Sequence, residues 1–266
     1  MTHGPLICDL TSRALLRIGG EAWRGFLQGL LTQDVESLQP GELRFGALLT
    51  PQGRLLFDLF IVGDEDGCLL DVEAQGRETL MQRLAIYRLR AKVTIASDET
   101  PVRALWDAED APDGWRRDPR LPGLGFRGYG APGAANASEA DYDRHRLALG
   151  VPGPADWAGE QTFPIEADFD LLAGIDFKKG CFVGQETTSR MKRRGAIKRR
   201  MLPIAFEGPA PAPGAELLAG TLRAGEALSG ADGAAIALVR LDRLVGPLTL
   251  ADGRPFRAIR PDWMAD

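Results

Sequence analysis

Between residues 43 and 106 the apolar residues follow a strand period broken once by a helical one, and this order limits the folds open to the chain. Segments 43–50 and 54–62 flank Pro51-Gln52-Gly53, turn residues that predict a hairpin. Segment 68–73 reads as a third strand and 76–89 as a helix with Leu80, Leu84 and Tyr87 inward; 91–96 and 102–106 are strands again. Such an order predicts an antiparallel sheet backed by a helix, an α+β module. Upstream, Trp23, Phe26, Leu27 and Leu30 share one helical face, Gly29 supplies a stop, and Thr32 is placed to cap a second short helix ending at Pro40-Gly41. Residues 108–137 are rich in Gly, Pro and Asp and predict a long irregular connection. A helix follows at 139–149 and breaks at Gly150-Val151-Pro152. The Pro-rich stretch 208–214 marks a boundary, after which short apolar runs such as 234–241 predict a small β module.

With 266 residues and an apolar fraction of 44%, the chain can bury a sizeable core in two or three modules. It has no run of about 18 apolar residues, so no membrane span is expected. Nor does the N-terminus have the pattern of a secretory signal. Three scattered cysteines form no disulfide framework, which predicts a reducing, cytoplasmic location. Two histidines, His3 and His145, cannot assemble a histidine-rich metal cage. Glycine-rich dinucleotide loops, Walker loops and serine-hydrolase elbows are absent.

The chemistry concentrates at 178–195. Lys178-Lys179-Gly180-Cys181-Phe182-Val183-Gly184-Gln185-Glu186 places one cysteine between two glycines, and Arg190, Lys192, Arg193 and Arg194 follow. Four of the five lysines lie between 178 and 198, in a chain of formal net charge -5. Nearby cations favour thiolate, the form that attacks electrophiles and binds metal. Two readings of Cys181 stand: a small buried apolar residue, or an accessible thiolate of depressed pKa at the start of a helix. Cys8 and Cys68 sit in apolar runs and read as core.

The octapeptide 179–186 resembles the signature of the YgfZ family, folate-binding relatives of the glycine-cleavage aminomethyltransferase T-protein that support iron–sulfur cluster assembly. Phe26-Leu27-Gln28-Gly29, Leu49-Thr50-Pro51-Gln52-Gly53-Arg54, Asp118-Pro119-Arg120, Arg146 with Gly150-Val151-Pro152, and Pro164-Ile165-Glu166 agree in order. The resemblance implies a three-part T-protein-like α+β architecture. Residues 1–42 with 118–197 would form a discontinuous folate-binding domain, 43–117 an inserted ferredoxin-like domain, and 198–266 a C-terminal small β-barrel. It implies tetrahydrofolate or a derivative as cofactor, with Glu166 at the pterin-binding position and Asp168, Lys179, Gly184, Gln185 and Arg190 beside it. A carboxylate suits an aminopyrimidinone edge because it accepts two hydrogen bonds. The transferases' acid falls at Thr79 here, with Glu78 out of register.

The resemblance implies an accessory protein in iron–sulfur cluster assembly or maintenance, without conventional turnover of its own. Cys181 would ligate a cluster transiently, or do redox chemistry, with an A-type carrier or an apo iron–sulfur enzyme. Since clusters normally take about four protein ligands, a single cysteine requires a partner. A folate-dependent aminomethyl or one-carbon transferase using Asp34, Asp168 or Glu78 is the alternative. Nucleic-acid binding through the cations at 190–200 is the third and least supported reading, since no aromatic platforms interleave there.

Overall fold

A computed structural model describes residues 4–264 other than 158 and 196. The chain opens with β1 (Leu6–Asp9), β2 (Arg13–Gly19) and α1 (Trp23–Gln28). β3 (Leu43–Leu49), β4 (Leu55–Gly63), β5 (Gly67–Glu73), α2 (Arg77–Arg88), β6 (Thr94–Asp98) and β7 (Val102–Trp106) follow. β8 (Trp115–Arg117), β9 (Phe126–Tyr129), α3 (Glu139–Ala148) and α4 (Gln185–Arg194) complete the first two thirds. From residue 199 on, the regular elements are strands apart from two short 3-10 turns: β10 (Arg199–Phe206), β11 (Glu216–Ala219), β12 (Leu222–Ala231), β13 (Ala234–Arg240), β14 (Leu248–Leu250) and β15 (Phe256–Ala258).

Three antiparallel sheets result, ordered β3-β4-β5-β2-β6, β1-β7-β9-β8 and β14-β11-β12-β13-β10-β15. A bridge between Thr249 and Pro255 brings the edges of the third sheet together, nearly closing a barrel. Strand pairing does not follow the expected segment boundaries. β2 leaves the N-terminal segment to lie between β5 and β6, and β7 leaves the 43–117 segment to pair with β1 and β9. The connection at 108–137 holds two strands, because Gly128 and its neighbours pair with both β7 and β8. No helix follows Thr32. Its hydroxyl donates to the Gly174 carbonyl at 2.7 Å and accepts from the Ala47 N–H at 2.8 Å, so it ties three segments together instead of capping.

α2 lays Leu80 and Leu84 on the five-stranded sheet in a core with Leu16, Ile18, Leu59 and Leu70. Each fully buried leucine there contributes about 2 kcal/mol. A second core joins all three parts: Phe45 and Phe60 from β3 and β4, Ile165, Phe169 and Phe182 from the motif region, and Met201 and Ile236 from the barrel.

The five- and four-stranded sheets are also clamped by buried charge. Arg13 pairs with Asp71 at 2.6 Å and Asp58 at 2.9 Å, and Arg127 pairs with Asp71 at 2.7 Å and Asp118 at 3.4 Å. Arg120 closes the set on Asp118 at 2.8 Å. Burial alone would raise the Asp118 carboxyl, but the two arginines hold it below the usual carboxylate range. The arginines and aspartates balance in number, which makes such a network tolerable away from water.

Candidate functional site

The loop carrying Cys181 is fixed at both ends and open at its tip. Asp176 accepts the backbone N–H of Lys178 at 2.7 Å and of Lys179 at 3.2 Å. The Lys179 side chain turns inward, and its Nζ donates to the carbonyls of Gln28, Leu31 and Gln33 at 2.8, 2.6 and 2.9 Å. Its three donors are thereby consumed, so Lys179 anchors the loop to the chain after α1 instead of facing a ligand. Beyond the tip, Phe182 enters the shared core and the Val183 N–H donates to Gly29 O at 3.2 Å. Phe177, Lys178, Gly180 and Cys181 are the exposed residues of this loop, and the Cys181 thiol is free.

Burial pushes the thiols of Cys8 and Cys68 up to about 12, which removes them as thiolates near neutrality. Among the described residues no three His, Cys, Asp or Glu side chains group as metal ligands.

Two sequence motifs far apart in the chain interlock beneath Cys181. Gly184, the residue before α4, and Gly53, at the 50–54 hairpin, both have positive φ, 83° and 82°. A Cβ on Gly184 would lie 2.7 Å from Thr50 O and 2.9 Å from the Gly53 Cα, and a Cβ on Gly53 would lie 2.9 Å from the Thr187 Cβ. Neither position accepts a side chain, for reasons of both conformation and space. Gly184 is thus a packing residue, and it is not among the residues lining the cavity beside Glu166. The same hairpin continues into Arg54, whose guanidinium lies 3.7 Å from the centre of the Phe163 ring.

Arg54 and Glu166 line one cavity of about 360 Å³ with Asp156, Glu160, Arg199 and Glu226. Glu166 Oε1 accepts from Arg199 at 2.8 Å, and Oε2 accepts from the Phe163 N–H at 3.2 Å. Lone pairs on Oε2 remain for another donor, so the carboxylate can accept from a ligand there, while Oε1 is engaged by the half-exposed Arg199. Asp156 is committed elsewhere, to Arg146, the Gly153 N–H and the Ser229 N–H.

The other expected cofactor residues do not share this cavity. Asp168 is buried at a positive φ of 61°. Its Oδ1 accepts from Arg200 at 2.7 Å while Oδ2 has no protein partner. Burial pushes its carboxyl up to about 8. Gln185 opens α4 beside Gly184, its N–H bonded to Phe182 O at 3.2 Å, and Arg190 is exposed on the same helix. Cys181 also lies outside the cavity lining. Of the acids named for transferase chemistry, Asp34 is held at about 2: hydrogen bonds from Ser37 and Gln28 outweigh its burial. Glu78 is exposed on α2, and none of the three lines the cavity.

Three cations of the run at 190–200 are engaged by carboxylates, while Arg190, Arg193 and Lys198 stay exposed and the side chain of Arg194 lies outside the described residues. Lys192 pairs with Asp170, Arg199 with Glu166, and Arg200 with Asp168 and Asp170. The Glu166–Arg199 pair and the Lys179 anchor were hidden in the sequence because their partners are distant or are backbone carbonyls.

Residues 198–266 match the family described as CAF17, C-terminal beta-barrel domain. The iron-sulfur cluster assembly factor IBA57 homolog, mitochondrial, of Neurospora crassa is 31% identical over 241 residues, covering 77% of this chain and 55% of that protein. The chain thus spans little more than half the length of that fungal relative. The human iron-sulfur cluster assembly factor IBA57, mitochondrial, is 29% identical, with coverage of 96% and 84%. The glycine cleavage system aminomethyltransferase T from Bartonella henselae superposes with a TM-score of 0.78 at 17% identity, covering 98% of this chain and 86% of its own. At that identity the likeness concerns the fold, which is the three-part T-protein α+β architecture.

Proposed function

Starting from a chain that belongs to the YgfZ/IBA57 family, we propose that it is an iron–sulfur cluster assembly or maintenance factor with a tetrahydrofolate-type pocket beside Glu166. The observation carrying this reading is Cys181: a free, exposed thiol at the tip of a loop rigidly held by Lys179 and by the Gly53–Gly184 contact. A cysteine kept only for packing would sit like Cys8 and Cys68, with no exposure. Cys181 supplies one ligand, or one redox-active sulfur, to a cluster shared with an A-type carrier or delivered to an apo iron–sulfur protein. The partner supplies the remaining ligands. Glu166 would hold a tetrahydrofolate by accepting hydrogen bonds from its aminopyrimidinone edge, and Arg199, which now pairs with that carboxylate, would have to yield its place.

The cytoplasmic location expected from cysteine usage belongs to the same proposal, although the relatives above are described as mitochondrial. Among the described residues no helix is long and apolar enough to cross a membrane. The test is anaerobic reconstitution with an A-type carrier, comparing wild type with Cys181→Ser. The serine protein is expected to lose the shared cluster and slow its transfer. Identical cluster spectra and transfer rates would end the proposal.

Folate-dependent aminomethyl transfer is the second reading, favoured by the fold likeness to aminomethyltransferase T. Product formation from methylene-tetrahydrofolate and an amine, unchanged in Cys181→Ser, would put it first.

A further inference from the structure

The Glu166 cavity continues into a trough of about 440 Å³ lined by residues of β10, β12 and β13. The two share Arg199, Glu226 and Leu238, and the trough adds Arg223, Arg240 and Arg243. Its lining therefore holds four guanidinium groups against one carboxylate, in a protein whose overall charge is -5. The β10–β13 register sets Arg199 directly opposite Arg240. Like charges across an antiparallel pair are unfavourable unless an anion separates them.

The present partners are loosely held. Arg223 pairs with Glu226 at 2.7 Å and Glu216 at 3.6 Å, and Arg240 pairs with Asp242 at 2.9 Å, all substantially exposed. Exposed pairs of this kind contribute little, so an incoming carboxylate can replace them at small cost. Arg243 donates to the Arg223 carbonyl and keeps its charge at the rim. The trough lining contains no aromatic side chain on which a nucleic-acid base could stack.

We infer that the trough receives a polycarboxylate tail, and that the ligand of the Glu166 cavity is a folate extended by a chain of γ-linked glutamates. The inference rests on the folate reading above and specifies the form of folate bound. A poly-γ-glutamate chain places one carboxylate on each residue, and a planar guanidinium matches a carboxylate in two-point contact. The pterin lies at Glu166, and the tail crosses β10, β13 and β12 toward Arg223 and Arg243.

The experiment measures binding of tetrahydrofolate monoglutamate and pentaglutamate to the full chain by anaerobic calorimetry. Wild type, Arg223→Glu/Arg243→Glu and Glu166→Gln are compared, with Arg223→Glu alone as a milder second variant. Several exposed ion pairs should make the pentaglutamate about tenfold tighter for wild type. That preference should vanish in the arginine variants and fade at high salt, while Glu166→Gln weakens both forms by a common factor. Equal wild-type affinity for the two forms, or a preference that survives both arginine variants, overturns the inference and leaves the folate reading standing. Failure of both forms to bind wild type overturns the folate reading and the inference with it.

Discussion

Replacing Lys179 with methionine separates a structural anchor from a ligand contact. Methionine keeps the length and apolar stem but removes a buried ammonium that satisfies three backbone carbonyls. Hydrogen bonds from a charged donor contribute about 1.5–3 kcal/mol each, and the orphaned carbonyls keep their desolvation penalty. Relief of the ammonium's own burial offsets part of the loss, leaving a net cost of about 3 kcal/mol. Urea unfolding at pH 7, followed by tryptophan fluorescence, reads this directly.

A pH series adds an independent signature. Burial lowers the ammonium from 10.5 to about 8, so between those values the unfolded chain holds a proton that the folded one has released. Wild-type stability should rise with pH across that window, because the unfolded state binds more protons there. Lys179→Met should lack this slope, and folate affinity of the folded variant should be unchanged. A loss under about 1 kcal/mol together with a sharp fall in folate affinity would refute the anchoring role.

Gly53→Ala should cost about 1–3 kcal/mol through strain at positive φ and overpacking on Thr187, and it should quicken alkylation of Cys181 as α4 loosens; normal stability would break the interlock argument. Asp168 contributes stability that is full below its unfolded value of 3.8 and is lost as pH rises through about 8. Asp168→Asn keeps the Arg200 bond through its amide oxygen and tolerates the backbone, so it should flatten that decline and gain about 1–2 kcal/mol at pH 8. A decline unchanged in the variant would assign it to other groups.

The hairpin at Pro51-Gln52-Gly53 and the long helix carrying Leu80 and Leu84 were legible because each is written in adjacent residues: turn chemistry in one, a 3.6-residue period in the other. β8 and β9 were not. They are three and four residues long and sit among Gly and Pro; β9 owes its extended form to β7, and β8 owes its own to β9. Asp58 and Asp71 were the overlooked signal for the buried charge network, since each interrupts an otherwise apolar strand run. Glu166 was legible as a candidate through its motif, but its pairing with Arg199 depends on how the barrel docks.

The placement of β2 between β5 and β6 has a cost that falls on the ribosome-bound chain. Its partners arrive late: Cys68 and its neighbours follow after about fifty residues, and the far edge at Asp98 only after roughly eighty. At about 5–20 residues per second, the nascent strand waits several seconds with both hydrogen-bonding edges unsatisfied. Leu15, Leu16 and Ile18 would then be open to any passing strand, so Arg13 and Arg17, four residues apart on one face of the same strand, act as guards before Arg13 joins the buried charge network. A substitution that removes either charge is apt to show itself first as lost yield during synthesis, before any change in the finished molecule.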